Sequence, residues 1–248
     1  MIVNMINVEA LTATLSDGKE ILKDISFSLP ESSKLAIIGP NGSGKSTLMQ
    51  ALLGMIPASF NRYDIAGNDF TNLSIKERAK LMSYISQQQM PEGSTTTWEW
   101  CELSRYPHGT SKAENNRIIE EALIAVDALP FATRALASLS GGERQRVYMA
   151  GAIAQESTMI FLDEVNAALD PKHRDALNQL IAGQVNKTIL SITHDINALD
   201  CYTHLLALKA GKVVAFGKRD EVMTQALLAD LFEYQFREVI HQGQARYF

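Results

Sequence analysis

The sequence predicts an α/β fold built around a mostly parallel sheet and interrupted by a helical insertion. Three observations predict it. Leu35–Ile38 is a short unbroken apolar run with the character of a strand buried on both faces, and Met159–Leu162 and Thr188–Ile192 read as further strands. Amphipathic helical stretches follow such runs, and strand–helix–strand order in one layer requires parallel strands joined by right-handed crossovers. Between about residues 88 and 138 no buried strand is evident, and helical periodicity takes over.

Along the chain, Ile25, Phe27 and Leu29 alternate with Ser26 and Ser28, a half-buried strand. The run Leu35–Ile38 follows, then a glycine-rich bend, then Leu48, Ala51, Leu52 and Met55 on one helical face with Gly54 near its end. In the insertion the clearest helix is expected from Glu114 to Ala128, with Ile118, Ala122, Ala125 and Leu129 aligned. A helix with Val147, Ala150 and Ala154 on one face precedes the run at Met159, and a further helix around Ala176–Ile181 precedes the run at Thr188. Leu205–Leu208 and Val213–Phe216 flank Lys209-Ala210-Gly211-Lys212, a hairpin signal.

The 248 residues, 46% hydrophobic and 21% charged, suffice for a sizeable core without metals or disulfides. The two cysteines, Cys101 and Cys201, are far apart and match no metal spacing, as expected of reduced thiols. A formal net charge of -5 argues against a phosphate-backbone partner, so no nucleic acid is expected. No apolar run is long enough to span a bilayer, and Met1–Ala10 lacks the features of a secretion signal. A cytoplasmic location is expected, with any membrane role exercised through a partner.

Gly39-Pro40-Asn41-Gly42-Ser43-Gly44-Lys45-Ser46 matches the phosphate-loop pattern, followed by Thr47. It lies between a buried strand and a helix start. Its glycines let successive N–H groups turn inward onto an anion, and the helix dipole adds positive potential. Lys45 suits the β and γ phosphates of ATP, and the Ser46 hydroxyl suits Mg²⁺. After the run at Met159 stand Asp163 and Glu164, where open α/β sheets bind ligands. Asp163 suits the Mg²⁺ shell, and Glu164 suits orienting or deprotonating an attacking water. Ser140-Gly141-Gly142-Glu143 opens a helix. Ser140 and Glu143 can form a capping box, while the two glycines leave N–H groups open to a phosphate. A chain with one complete phosphate loop has no need of a second for itself, so this site would serve the nucleotide of another copy.

With Leu139-Ser140-Gly141-Gly142-Glu143 the chain resembles the nucleotide-binding subunit of ABC transporters, whose LSGGE motif sets them apart from other phosphate-loop ATPases. The resemblance runs over essentially the whole chain, 1–248, as one ABC ATPase domain. It implies a P-loop NTPase (RecA-like) core, an N-terminal antiparallel β subdomain and a helical subdomain at about 88–150. It also implies a head-to-tail homodimer enclosing two ATP molecules, with Ser140, Gly141 and Gly142 reaching the γ phosphate held by the other copy. By the same resemblance Gln87 is the glutamine that touches Mg²⁺ or water and reports to the membrane partner. His194 contacts the γ phosphate, and Asp170 lies at the subunit interface. Gln87–Gly93 and Arg105-Tyr106-Pro107-His108-Gly109 are similar to importer ATPases for iron-siderophores, haem and vitamin B12. Those work with two transmembrane permease subunits, and indirectly a substrate-binding protein, from the cytoplasmic face of the inner membrane. Trp98 and Trp100 suit either that docking surface or core packing. A soluble ABC ATPase, for instance in iron–sulfur cluster assembly, would carry the same motifs.

Five positions depart from the family pattern. Leu15 stands where an aromatic residue usually stacks on adenine, which implies weaker base recognition. Val165-Asn166-Ala167 replaces the usual residues after the glutamate. Gly151 replaces a common arginine, and nothing in the sequence accounts for that change.

Overall fold

A computed structural model describes residues 4–14, 18–86, 94–165, 171–241 and 244–247. Leu15, Gln87, Asn166, Ala167 and Asp170 lie outside them. In chain order the first elements are β1 (Asn4–Thr14), β2 (Glu20–Pro30), β3 (Lys34–Ile38), α1 (Lys45–Leu52), β4 (Arg62–Ile65) and β5 (Asn68–Asp69). Next come α2 (Ile75–Leu81), β6 (Met82–Ser86), α3 (Thr97–Ser104), α4 (Lys112–Ala125), α5 (Gly141–Ala154), β7 (Met159–Asp163) and α6 (Pro171–Gly183). The chain continues with β8 (Thr188–Ile192), β9 (His204–Lys209), β10 (Lys212–Lys218), α7 (Arg219–Val222), α8 (Gln225–Phe232), β11 (Glu238–His241) and β12 (Gln244–Tyr247). They form two compact units, Met1–Asn72 with Lys187–Phe248, and Leu73–Asn186.

In the first unit β2, β1, β4 and β5 form an antiparallel sheet in that order. Leu22, Ile25, Phe27 and Leu29 are buried, and the step of three from Leu22 to Ile25 spans a bulge at Asp24 (φ 55°). Ala10 (φ 56°) makes the matching irregularity in β1, between buried Val8 and Leu11. Each bulge keeps the apolar side chains on one face across an extra residue. Strand β3 pairs in parallel with β8 on one side and β9 on the other, and β10 closes the group antiparallel to β9. Leu35 to Ile38 are completely buried, as an unbroken apolar run predicts. The β9–β10 turn sets Ala210 and Gly211 at φ 49° and 78°, the doubly left-handed turn that suits the twist of a two-residue hairpin.

The second unit pairs β6 with β7 in parallel and packs α3 and α4 on α5. Capping boxes start three of its helices, at Ser74/Glu77, Thr96/Glu99 and Ser140/Glu143. Helix α4 ends at Ala125, earlier than expected, because Asp127 turns left-handed (φ 53°) and the Ala128 N–H closes onto the Leu123 carbonyl at 2.8 Å. Its buried face is Ile118, Ile119, Ala122 and Leu123, whereas Ala125 is exposed. The stripe rotates from the expected one because Ile119 and Leu123 bring more apolar area to α5 than Ala125 and Leu129 would. Met55 is likewise outside its helix and exposed. Gly54 (φ 70°) ends α1, and the Met55 N–H bonds the Gln50 carbonyl at 2.9 Å.

Helix α5 is buried on more than the expected face, with Tyr148, Met149, Gly151 and Ala152 also enclosed. The Trp100 indole packs on Tyr148 (ring centroids 5.1 Å apart) and over Gly151. A Cβ at 151 would stand 2.8 Å from Trp100 Nε1 and 3.0 Å from Ser104 Oγ, so glycine is the complement of that tryptophan. Trp100 is therefore half-buried, with its indole seated against α5. Cys101, beside it in sequence, is buried, and burial pushes its thiol up to about 12. Gly151→Arg should lower the unfolding free energy by about 1–3 kcal/mol, the usual cost of overpacking. Urea titration would check this, and combining it with Trp100→Leu should cost less than the sum of the two single changes.

Candidate functional site

The phosphate loop leaves β3 at Gly39 and enters α1 at Lys45. Gly39, Gly42 and Gly44 take φ values of 153°, 76° and 104°, which only glycine adopts without strain. At Gly39 a Cβ would lie 2.1 Å from the Leu208 carbonyl oxygen, so the loop is pressed against β9. Lys45 is buried, and its ammonium donates to the carbonyls of Gly39 (2.9 Å) and Pro40 (3.0 Å). Those bonds arch the chain over the lysine. The Ser43 hydroxyl is buried and makes no hydrogen bond among the described residues. A glycine-lined arch with a cation at its centre and a buried free hydroxyl fits a polyphosphate.

One support of the loop was not legible in the sequence. The Gly211 N–H donates to the Ser43 carbonyl at 2.9 Å, and the Lys23 N–H donates to the Gly211 carbonyl at 2.8 Å. The hairpin signal named the turn, but its neighbour is set by tertiary folding. A Cβ at 211 would lie 2.0 Å from the Ile21 carbonyl oxygen.

His194 follows β8, the strand next to β3. Ile37 pairs with Ile192, and the Thr193 N–H reaches the Ile37 carbonyl at 3.3 Å. Phosphate loop and histidine thus leave the same edge of adjacent parallel strands, where such sheets place ligands. The side chain of Thr193 is buried and that of His194 exposed.

In the second unit Ser86 of β6 pairs with Asp163 of β7. The Tyr84 hydroxyl donates to Asp163 Oδ2 at 3.2 Å. Burial, reinforced by the Asp163 charge, pushes the Tyr84 hydroxyl up to about 12, so it stays a donor that orients the carboxylate. Tyr84 was visible only as part of a motif, because cross-strand pairing is not encoded locally. Glu164 takes a left-handed conformation (φ 52°), costly for a non-glycine residue and frequent at functional sites. Ser140 caps α5 in a capping box, and its N–H holds the Glu143 carboxyl below the usual range. A Cβ at Gly141 would meet nothing within 4 Å, so this helix start is open. Both sequence readings of Ser140 are thus compatible with its surroundings.

Arg105 and His108 are structural in their contacts. The Arg105 side chain, 1% exposed, donates to the Ala154 carbonyl (2.6 Å), Glu156 (2.8 Å) and Asn115 (3.0 Å). His108 Nε2 lies 2.7 Å from the Gln155 carbonyl. Together they cap the C-terminal end of α5. Beside them Leu103 and Tyr106 are 65% and 86% exposed at a cleft of about 840 Å³ that Glu99 and Glu102 also line. Among the described residues no helix is long and apolar enough to cross a membrane.

A family model described as ABC transporter matches residues 22–167. The chain is 34% identical to the hemin import ATP-binding protein HmuV of Pseudomonas entomophila over 92% of each chain. It is 33% identical to the iron(3+)-hydroxamate import ATP-binding protein FhuC of Bacillus subtilis, over 93% of this chain and 88% of the other. Among solved structures it superposes on the dimeric post-hydrolysis state of the ATP-binding cassette MJ0796 bound to ADP and Pi. That TM-score is 0.78 at 26% identity, covering 86% of this chain and 98% of the other.

Gly211→Ala should raise the Mg-ATP dissociation constant about tenfold, since a left-handed non-glycine residue and a carbonyl clash both act on the loop's support. Gly67→Ala is the control, with φ 76° but open space around it, and should leave the affinity unchanged by calorimetry.

Proposed function

Since this chain belongs to the ABC transporter family and is an ATPase, we propose that it powers a membrane importer, with a cargo of the iron-siderophore, haem or cobalamin type. The observation that carries this reading is one complete phosphate loop together with a second open, glycine-bearing helix start at Ser140–Gly142 in the same chain. Two copies stacked head to tail use both, each copy's Ser140, Gly141 and Gly142 closing on the ATP held by the other's Lys45. ATP favours the closed dimer and loss of the γ phosphate releases it, a ligand-driven population shift.

In this scheme residues 1–248 act as one ABC ATPase domain with a helical insertion at about 88–150. Glu164 orients the attacking water and accepts its proton, and His194 contacts the γ phosphate. Asp170 lies at the dimer interface. Ser46, Asp163 and Gln87 would hold Mg²⁺, which would supply neutralisation of the phosphate charge. Gln87 carries the nucleotide state toward two permease subunits, which a substrate-binding protein loads. The exposed Leu103 and Tyr106, which line a cleft in the helical unit, support docking of a permease segment there. The chain would then sit peripherally on the cytoplasmic face of the inner membrane. Cargo class is supported by the hemin and hydroxamate relatives. A 34% identical relative from Carboxydothermus hydrogenoformans is an energy-coupling factor transporter ATP-binding protein.

Glu164→Gln should bind Mg-ATP, lose turnover and accumulate as a dimer on gel filtration with ATP. Rapid hydrolysis by that variant would remove Glu164 from the catalytic role. Detergent extraction should co-purify a polytopic membrane protein with the chain. Purification without one would favour a soluble ABC ATPase, such as one serving iron–sulfur cluster assembly.

A further inference from the structure

The backbone after His194 is weakly self-supporting. Residues Ile196–Cys201 form a 3-10 turn with a non-helical break at Ala198 (φ -104°, ψ 22°). Short 3-10 turns have poorer hydrogen-bond geometry than α-helices. Asp195 caps this one by accepting from the Asn197 N–H at 3.1 Å.

Further support comes from β12, beside that from Arg219 and from the burial of Leu199. Asn197 spans the backbone of Tyr247: its Nδ2 donates to the Tyr247 carbonyl and its Oδ1 accepts from the Tyr247 N–H, each at 2.8 Å. The side-chain amide thus takes the place of a neighbouring strand. Arg246 grips in the opposite direction, donating to the Asn197 carbonyl (3.2 Å) and to Asp200 Oδ2 (2.7 Å). Arg219 donates to Asp200 Oδ1 at 3.1 Å. The Arg246 hydrogen bond holds the Asp200 carboxyl below its usual range, consistent with a persistent charge pair. Tyr247 itself is buried in a cluster with Ala36, Ile38, Leu199 and Leu205. Ile38 is the last residue before Gly39. One strand is therefore anchored both to the strand that launches the phosphate loop and to the turn that follows His194.

We propose that the β11–β12 hairpin is a positioning element for hydrolysis, holding the His194 loop in register with the phosphate loop through Asn197, Arg246 and Tyr247. This rests on His194 as the γ-phosphate contact of the proposed function. None of the three residues touches the nucleotide. Losing the Asn197 amide leaves the Tyr247 N–H and carbonyl without their partner. The effect falls on the turn behind His194, while the glycine arch and Lys45 keep their own bonds. Nucleotide binding and turnover should therefore separate.

The test uses the full chain, with Mg-ATP affinity read by calorimetry and turnover by phosphate release. Asn197→Ala should lower kcat about tenfold, with KM and the Mg-ATP dissociation constant changed less than about twofold. Asn197→Asp, of the same shape but facing a carboxylate toward the Tyr247 carbonyl, should be at least as slow. Asn197→Gln keeps both groups and should recover part of the rate. In a His194→Ala background, Asn197→Ala should add less than about a twofold loss, because the two act as one unit. Unchanged turnover in Asn197→Ala, or a loss that multiplies fully with His194→Ala, would overturn the proposal. So would full turnover in His194→Ala, with the ATPase reading left standing; no Mg-ATP heat from folded wild type would instead sink the ATPase reading itself. If Asn197→Ala fails to fold by circular dichroism, Arg246→Ala cuts the outer half of the tie and is put through the same cycle.

Discussion

The bend between β3 and α1 depends on backbone that has no side chains in its way. Gly39, Gly42 and Gly44 are left-handed, and at two of them the space for a Cβ is already taken, by the Leu208 carbonyl at Gly39 and by Leu22 at Gly44. A loop so constrained gains little from internal pairing, the Ser43 N–H to the Pro40 carbonyl at 3.2 Å, and is held from outside so that N–H groups can face an anion. Lys45 ties the loop's start from within, and the β9–β10 turn ties Ser43 from behind. The antiparallel hairpin at the end of the sheet is thus part of the nucleotide site's foundation.

The second unit uses a different device for the same end. The residues proposed for its chemistry sit where secondary structure stops: Asp163 ends a strand, Glu164 turns left-handed directly after it, and Ser140 stands just before a helix. Asp163 and Ser140 are each steadied by a polar neighbour. Tyr84 donates to Asp163, and Glu143 closes the cap at Ser140. The far end of α5 is held by Arg105 and His108, whose donors satisfy carbonyls that a helix terminus leaves open. The Arg105-Tyr106-Pro107-His108-Gly109 segment thereby joins an exposed apolar pair to the helix that presents Ser140. Leu103 and Tyr106 thus have a short covalent and hydrogen-bonded connection to α5, the one that the proposed docking of a permease would use.

Much of this was legible locally. Buried strands announce themselves as apolar runs, and glycine patterns mark the backbone that must turn left-handed. Adjacent acids after a strand mark a ligand edge. The errors were of phase and extent: α4 buries Ile119 and Leu123 in place of Ala125 and Leu129, and α1 stops before Met55. Both ends are set by left-handed closures, at Asp127 and Gly54, and the first of these carries no glycine to signal it. Strands β1, β4, β5, β11 and β12 carried no distinct local signal, because bulges shift the alternation in β1 and the others are only two to four residues long.

Residue type and spacing along the chain were enough to determine the family, the phosphate-binding bend and the acids after β7, since each needs only consecutive residues to make its geometry. Tertiary structure alone decided why Gly151 is glycine, why Tyr84 matters to Asp163, and how Asn197, Gly211 and Tyr247 serve the site. Those depend on which distant segments come to share a strand edge or a helix face, and long-range pairing is a property of the packed core that no local window of sequence contains.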